Sequence, residues 1–389
     1  MSLSAMSTLS LFTPVEGFVG GSMIGLAAGS LLLGAGEIMG ASGLISSFAK
    51  GSLNETPITS PAQHWKLAFM GSFFLTAQFL LYYKDYSRAW SGDSDSRYAY
   101  DPNLPLVSTF GHIMSGFLVG FGTKLGNGCT TGHGICGLAR FSKRSFVAVL
   151  SFMTTGILSA TVCGPKCIFF DLLRTTSTEG VSPTALTQKL GGVISLLSIA
   201  AGIAAFIRRR SRQYSAPADE GNKEEVLENY NNFRKMIPAA ISGSLFAAGL
   251  EVSTMVKSTK IYGFLDLTGF SRGTYDPTLI VVMGGGMIWS MLSYQFIEGY
   301  QKKPFSKCIE AQSCPLALKS DPSYPSIGKF CVPTNTQIDG QLVVGSMLFG
   351  LGWGIGGLCP GPAMFLGLAG GFPKVLFYWW PSFIGGAFL

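Results

Sequence analysis

Between two apolar runs, residues 107–122 and 146–162, the chain reads GNGCTTGHGICGLARFSKRS over residues 126–145. These twenty positions hold two cysteines (Cys129 and Cys136), one histidine (His133), five glycines and three basic residues. Glycine at this density lets backbone approach a ligand or another backbone closely, and it interrupts regular helix. Two hydrophobic helices broken by such a segment suggest a chain that dips into a membrane and turns back. Non-helical backbone at that depth persists only where it is buried in protein or lines a wet cavity. A second segment of the same kind, GWGIGGLCPGPA, covers residues 352–363 with Cys359 at its centre. The pair reads as a conduit built around two cysteine loops.

The composition agrees with a membrane class. Only 13% of the 389 residues are charged while 47% are hydrophobic, and 51 are glycine. A soluble domain averages about 25% charged residues, so roughly half the usual solvating groups are missing. High glycine with low charge fits a multi-span helical protein, where small residues allow close helix contact. The net charge of +7 calls for no nucleic acid, since the basic residues collect in loops as the positive-inside tendency produces. The opening MSLSAMSTLSLFTP has no Lys or Arg before its apolar part, which makes it a poor targeting signal. The hydrophobic stretch that follows reads as a retained first span.

Nine runs have the length of a crossing: 15–35, 64–83, 107–125, 146–162, 190–207, 237–256, 277–297, 341–355 and 373–389. Spanning takes about 20 residues, so the shorter runs draw on their flanks. Four glycine-punctuated runs, 37–48, 129–140, 261–270 and 360–371, are too short to cross, and each follows a long one. A polar stretch carrying RRRSR and several acids reads as a solvated linker. It divides the chain into an N-terminal transport half (1–207), a linker (208–236) and a C-terminal transport half (237–389). The segments beginning at Ile24, Val119, Phe246 and Phe349 each pair the end of a long run with a glycine-marked turn and a short apolar piece. Internal repeats of this kind build transporters, with the site at the repeat interface near the midplane. Treating the short pieces as re-entrant puts two on each face, so that inverted halves pinch a pore from both sides. The alternative is that glycine-rich membrane segments resemble one another by composition alone.

These residues carry a family resemblance. The 126–145 segment resembles the signature of the YeeE/YedE sulfur-transport family. The second half, with IYGFLDLTG, YDPTLIVVMGG, KFCVPTNTQID and LFGLGWGIGGLCPGPA, is similar to the small partner subunits of short members of that family. The chain thus looks like a fusion of two such subunits. The resemblance implies an all-α integral membrane protein with an hourglass pore, about nine transmembrane helices and four short re-entrant helices. It also implies inward passage of thiosulfate or a related compound. The family's pathway cysteines carry over to Cys129 and Cys359. Single-chain members also have a cysteine in the first repeat; here none precedes Cys129.

The chemistry of such a cargo agrees with these residue types. Sulfur anions are soft and strongly hydrated, and a bare dianion in an apolar pore faces a large desolvation cost. A thiol supplies a weak donor and a polarisable acceptor. Backbone N–H groups at glycine turns and short-helix N-termini add fixed positive charge. The expected pathway is Cys129 and Cys359 with Gly128, Gly132, His133, Cys136, Gly357, Arg140 and Arg144, carrying thiosulfate or a persulfide-like compound within a lipid bilayer. Gly128, Gly132 and Gly357 are expected where a side chain would obstruct. His133 reads as a strut for its loop rather than a proton carrier, and Cys136, seven residues after Cys129, as packing as much as pathway. Arg140 and Arg144 fit either an anion mouth or interfacial anchors. Glu251 lies within a span near its end, while Asp266 and Asp276 read as turn and cap residues. Cys163 and Cys167 form a loop pair, CGPKC. No metal-ligand spacing and no cofactor motif are visible. The alternative to transport is a membrane sulfurtransferase or thiol oxidoreductase with Cys129 as nucleophile, and a third reading is a redox sensor. Loop Lys and Arg residues gather on one side of the nine crossings, which makes that side cytosolic. The chain then sits in the cell membrane with its N-terminus outside and its C-terminus inside.

Overall fold

In the computed structural model the described residues are 11–51, 64–91, 106–162, 173–175, 185–215, 233–301 and 336–389. They form a helical membrane protein whose sheet content, among the described residues, is one antiparallel pair, β1 (Leu106–Val107) with β2 (Arg174–Thr175). Each of the nine long runs forms a helix. They are α1 (Pro14–Ala35), α3 (His64–Ser91), α4 (Thr109–Leu125), α6 (Lys143–Val162), α7 (Ala185–Ser215), α8 (Met236–Val252), α11 (Thr278–Gln301), α12 (Gly340–Gly356) and α14 (375–388). Each short run forms a short helix as well: α2 (Ala41–Gly51), α5 (Thr130–Gly137), α9 (Ser258–Leu265) and α13 (Pro360–Ala369). A single turn, α10 (Gly269–Arg272), follows α9. By themselves α1, α6 and residues Leu186–Arg208 of α7 are long and apolar enough for a bilayer. The bent pair of α12 and α13, at 48°, joins them if it is taken as one span.

Local chemistry sets the helix ends. Pro14 opens α1 with its φ already fixed for helix. Ser108 caps α4 by accepting from the Gly111 N–H, and Asp339 caps α12 by accepting from the Leu342 N–H at 2.9 Å. At the other ends a left-handed residue stops α1, α4, α8 and α12: Gly36 (φ 72°), Asn127 (54°), Thr254 (58°) and Gly357 (62°). A short helix starts three to five residues later in each case. α7 runs on to Ser215, so the RRRSR segment is helical, and of the expected linker residues 216–232 lie outside the described residues.

Packing sorts eight of the long helices into two groups of one plan. In the first group α1 and α8 run antiparallel, with Gly20 against Ser253, the Ser242 hydroxyl on the Ala27 carbonyl and Gly34 against Pro238. α1 runs parallel to α11, with Gly17, Gly21 and Gly25 facing Thr278, Val282 and Gly286, and α3 lies along α8. In the second group α4 and α12 are antiparallel, with Gly122 against Phe349 and Gly352 against Ser115. α4 runs parallel to α14, where Gly116 and Gly120 touch the carbonyls of Trp379 and Phe383. α6 runs parallel to α12, with Phe152 against Gly350 and Ser159 against Gly354. Each group thus joins the first and third, or the second and fourth, of the long–short–long units. α7 packs on α3. The contacts are close because the contact stripes are glycine, the small-residue device of membrane helices. On the outer faces Leu75, Phe79, Leu150, Leu158, Leu196 and Ile203 remain exposed, as lipid-facing positions require.

Candidate functional site

The two cysteine segments take one local form. Cys129 is the extended residue (φ −126°, ψ −172°) immediately before α5, and Cys359 the extended residue (φ −92°, ψ 160°) immediately before α13. The cause is the same in both: a left-handed residue ends the preceding helix two positions earlier, and the chain turns back at once. Gly357 can hold its positive φ beside Ser258, whose carbonyl oxygen would lie 2.5 Å from an added Cβ. Both thiols are buried. The two turns touch, since the Thr130 hydroxyl donates to the Cys359 sulfur at 3.4 Å.

At that junction lies a cavity of about 60 Å³. Its wall includes Cys359 and Pro362 from α13 and its cap, Thr130, Thr131 and Ile135 from α5, Met255 and Ile261 around α9, Met283 from α11, and Trp353 from α12. No charged side chain lines it among the described residues. Its polar and soft groups are a thiol, two threonine hydroxyls, two thioethers and one indole. The Trp353 ring is buried against Phe152 and Phe349, and its N–H is directed at the Cys359 sulfur without closing a full hydrogen bond. α5 is a wide π-type helix, a form frequent at functional sites. Its first bonded amide is that of His133, on the Cys129 carbonyl, so the N–H groups of Thr130, Thr131 and Gly132 have no partner within the helix.

The other sequence candidates fall around this junction in distinct places. Cys129 does not line the cavity; it sits beside it, one residue from Thr130 and within electrostatic reach of Cys359 and Cys136. His133 is a strut, with one ring nitrogen on the Gly126 carbonyl and the other on the Ser145 hydroxyl, both at 3.1 Å. Gly128 lies under that ring, and an added Cβ would meet it at 2.6 Å. Gly132 corrects the glycine expectation: its Cβ direction is open and its φ is not positive, so no side chain would be obstructed there. Cys136 is buried and donates to the Met39 carbonyl at 3.6 Å, in the turn before α2. Arg144 forms an ion pair with Asp339 at 3.5 Å and bonds the Gln337 carbonyl, while Arg140 lies at the end of α5 and acts on Cys136 and Tyr294. The amide of Leu342, helped by Arg144, holds the Asp339 carboxyl below the usual carboxylate range.

Glu251 is buried near the end of α8. Asp266 and Asp276 each accept bonds from a threonine two residues on, and each also pairs with a cation, Arg272 and Lys260 respectively. Cys163, Cys167, Cys308, Cys314 and Cys331 lie outside the described residues. The sequence reading passed over Trp353, Met255 and Met283. Only the first carried a signal, as the tryptophan inside the GWG of the second cysteine segment.

Comparison with known proteins places these features among relatives. Residues 96–158 match the family described as Sulphur transport, and residues 234–321 and 309–388 match a family of unknown function, DUF6691. A probable transporter of Xylella fastidiosa strain Temecula1 is 35% identical over 147 residues, which are 38% of this chain and 92% of the relative. A second probable transporter of that strain is 28% identical over 152 residues, 39% of this chain and 85% of the relative. A probable transporter of strain 9a5c is 33% identical over 147 residues, 92% of its length. No solved structure matches the chain.

Proposed function

The chain belongs to the YeeE/YedE-like family of sulfur transporters, and from that premise we propose that it carries thiosulfate or a related small sulfur compound across the cell membrane. In this reading the nine long helices cross and the four short ones are re-entrant, two from each face, meeting at the middle of an hourglass. The antiparallel packing of α1 on α8 and of α4 on α12 supports the inversion, because a twofold axis between antiparallel helices lies in the membrane plane. The observation that carries the proposal is the meeting of the two cysteine-capped turns at one cavity, with Thr130 bonded to Cys359.

The cavity explains how such a cargo is held without being trapped. A dianion in an uncharged apolar space is costly. Here the free amides at the start of α5, the Trp353 N–H and the Thr130 hydroxyl can replace part of its water. The Cys359 thiol and the thioethers of Met255 and Met283 are polarisable partners for its terminal sulfur. No fixed cation binds it tightly, and weak binding suits throughput. Cys129 then takes the cargo from the cavity toward the cytosolic side, where Arg140 and Arg144 stand. In this reading the N-terminus lies outside and the C-terminus inside.

A nucleophilic enzyme is the weaker reading. Both ring nitrogens of His133 are engaged, by Gly126 and Ser145, so His133 is not available as a base for Cys129. Uptake of labelled thiosulfate into proteoliposomes tests the proposal. Accumulation of unchanged thiosulfate that falls sharply in Cys359→Ser is expected. Release of sulfite or formation of a protein persulfide without accumulation would instead identify a sulfurtransferase.

A further inference from the structure

α5 runs from the central cavity, which Thr130, Thr131 and Ile135 line, to Arg140 at its far end. Cys136 lies between. Its thiol faces a narrow void bounded by Ala28, Gly29 and Leu32 of α1, by Ile38 and Met39 of the first-repeat turn, and by Ser290, Ser293 and Tyr294 of α11. Ser293 closes the usual serine bond onto the backbone four residues back, Trp289, at 2.9 Å. Ser290 does not: it is 1% exposed and its hydroxyl has no hydrogen-bond partner. An unmet hydroxyl in an apolar interior is costly, so its place beside a thiol needs a reason. Tyr294 is buried as well and lines the same void. Arg140 lies within electrostatic reach of both Cys136 and Tyr294.

We propose that Cys136, Ser290, Tyr294 and Arg140 form a second resting station for a thiosulfate-class anion, between the central cavity and the basic mouth. The proposal rests on the transport reading above. The station differs from the central cavity in the one respect that a departing dianion requires. Two neutral hydroxyl donors, Ser290 and Tyr294, stand beside one soft sulfur, and a guanidinium now stands within reach. Its occupant is an anion because the Arg140 guanidinium can only donate and the hydroxyls of Ser290 and Tyr294 can turn their O–H toward it, while the thiol favours a polarisable sulfur over hard oxyanions. The void holds no water-sized space as it stands, so loading requires Cys136 to release the Met39 carbonyl and the wall to part. That makes the first-repeat turn, which has no cysteine of its own, the moving wall of the station.

Equilibrium binding of radiolabelled thiosulfate to the full-length protein in detergent separates the outcomes. Ser290→Ala with Tyr294→Phe is expected to halve the thiosulfate bound at saturation, with an unchanged melting temperature and the Cys359-dependent half retained. Cys359→Ser is expected to remove the other half. Full binding by a folded Ser290→Ala/Tyr294→Phe variant overturns the station and leaves the transport reading standing. Absence of any thiosulfate binding by the wild type overturns the transport reading, and the station with it. Displacement of the Ser290-dependent half by sulfate or chloride as readily as by thiosulfate would overturn its assignment to sulfur anions. Should the double variant not fold, Ser290→Ala alone is expected to weaken that half selectively, and an unaltered isotherm overturns the station.

Discussion

Trp353 is the residue on which the central cavity most depends for a hydrogen bond. Its ring is packed between aromatic neighbours, while its N–H is directed at the Cys359 sulfur without closing a full hydrogen bond. Trp353→Phe keeps most of the packing and removes only the donor. It is expected to raise the KM for thiosulfate uptake with little loss of folded protein, and an unchanged KM would show that the indole does not touch the cargo. Cysteine and glycine positions allow similar contrasts. Cys359→Ser, which keeps the size but loses the polarisable sulfur, should cost more uptake than Cys136→Ser. Gly357→Ala meets both a positive φ and the Ser258 carbonyl and is expected to cost more than about 1 kcal/mol. Gly132→Ala meets neither and should be silent in expression and in uptake. Equal behaviour of the two alanine variants would remove the backbone argument for the Gly357 turn.

Helices here are held less by their own propensities than by the stripes along which they touch. Gly21 of α1 brings the Val282 carbonyl to 2.3 Å from where a Cβ would stand, so Gly21→Leu must force α1 and α11 apart. Overpacking of this kind costs typically 1–3 kcal/mol, and loss of the monodisperse protein peak in size-exclusion chromatography is the expected result. The start of α12 is a softer joint. Asp339 caps it and pairs with Arg144 at the start of α6, tying two parallel helices at one end. The folded carboxyl titrates below its ordinary value of 3.8. Its contribution is therefore complete above that pH and is lost as the pH falls through the depressed value. Thermal stability of Asp339→Asn should lie below wild type at pH 7, and the difference should shrink as wild type is acidified below about pH 4. A difference that stays constant to pH 3 would show that the ion pair and cap are not the cause.

Across the whole molecule the antiparallel pairs make a claim about sides. If the halves are inverted about an axis in the membrane plane, the turn between α5 and α6 and the turn between α9 and α10 open on opposite faces. Phe141 in the first is 80% exposed and Leu267 in the second is 43% exposed. Phe141→Cys is expected to react with an impermeant maleimide only in inside-out vesicles, and Leu267→Cys only in intact cells. Labelling of both from one side would refute the inversion. Exchanged labelling would keep the inversion and reverse the orientation, and with it the placing of Arg140 and Arg144 at the inner mouth.

Hydropathy and glycine punctuation alone located the nine long helices and the four short ones, because burial in lipid demands apolar runs and glycine breaks them wherever it clusters. Cysteine placement inside those breaks was equally legible at Cys129 and Cys359. What no linear pattern contains is which stripe meets which. The pairing of the first unit with the third, and of the second with the fourth, depends on glycine faces that complement one another across more than two hundred residues. The same holds for the cavity: Trp353, Met255 and Met283 look like ordinary core residues in sequence, and only the convergence of α5, α9, α11, α12 and α13 sets them around one space. Gly132 shows the limit from the other side. It sits in the densest glycine segment of the chain, yet the π-type turn of α5 leaves its Cβ direction open, a fact fixed by the path of the backbone and not by the identity of the residue.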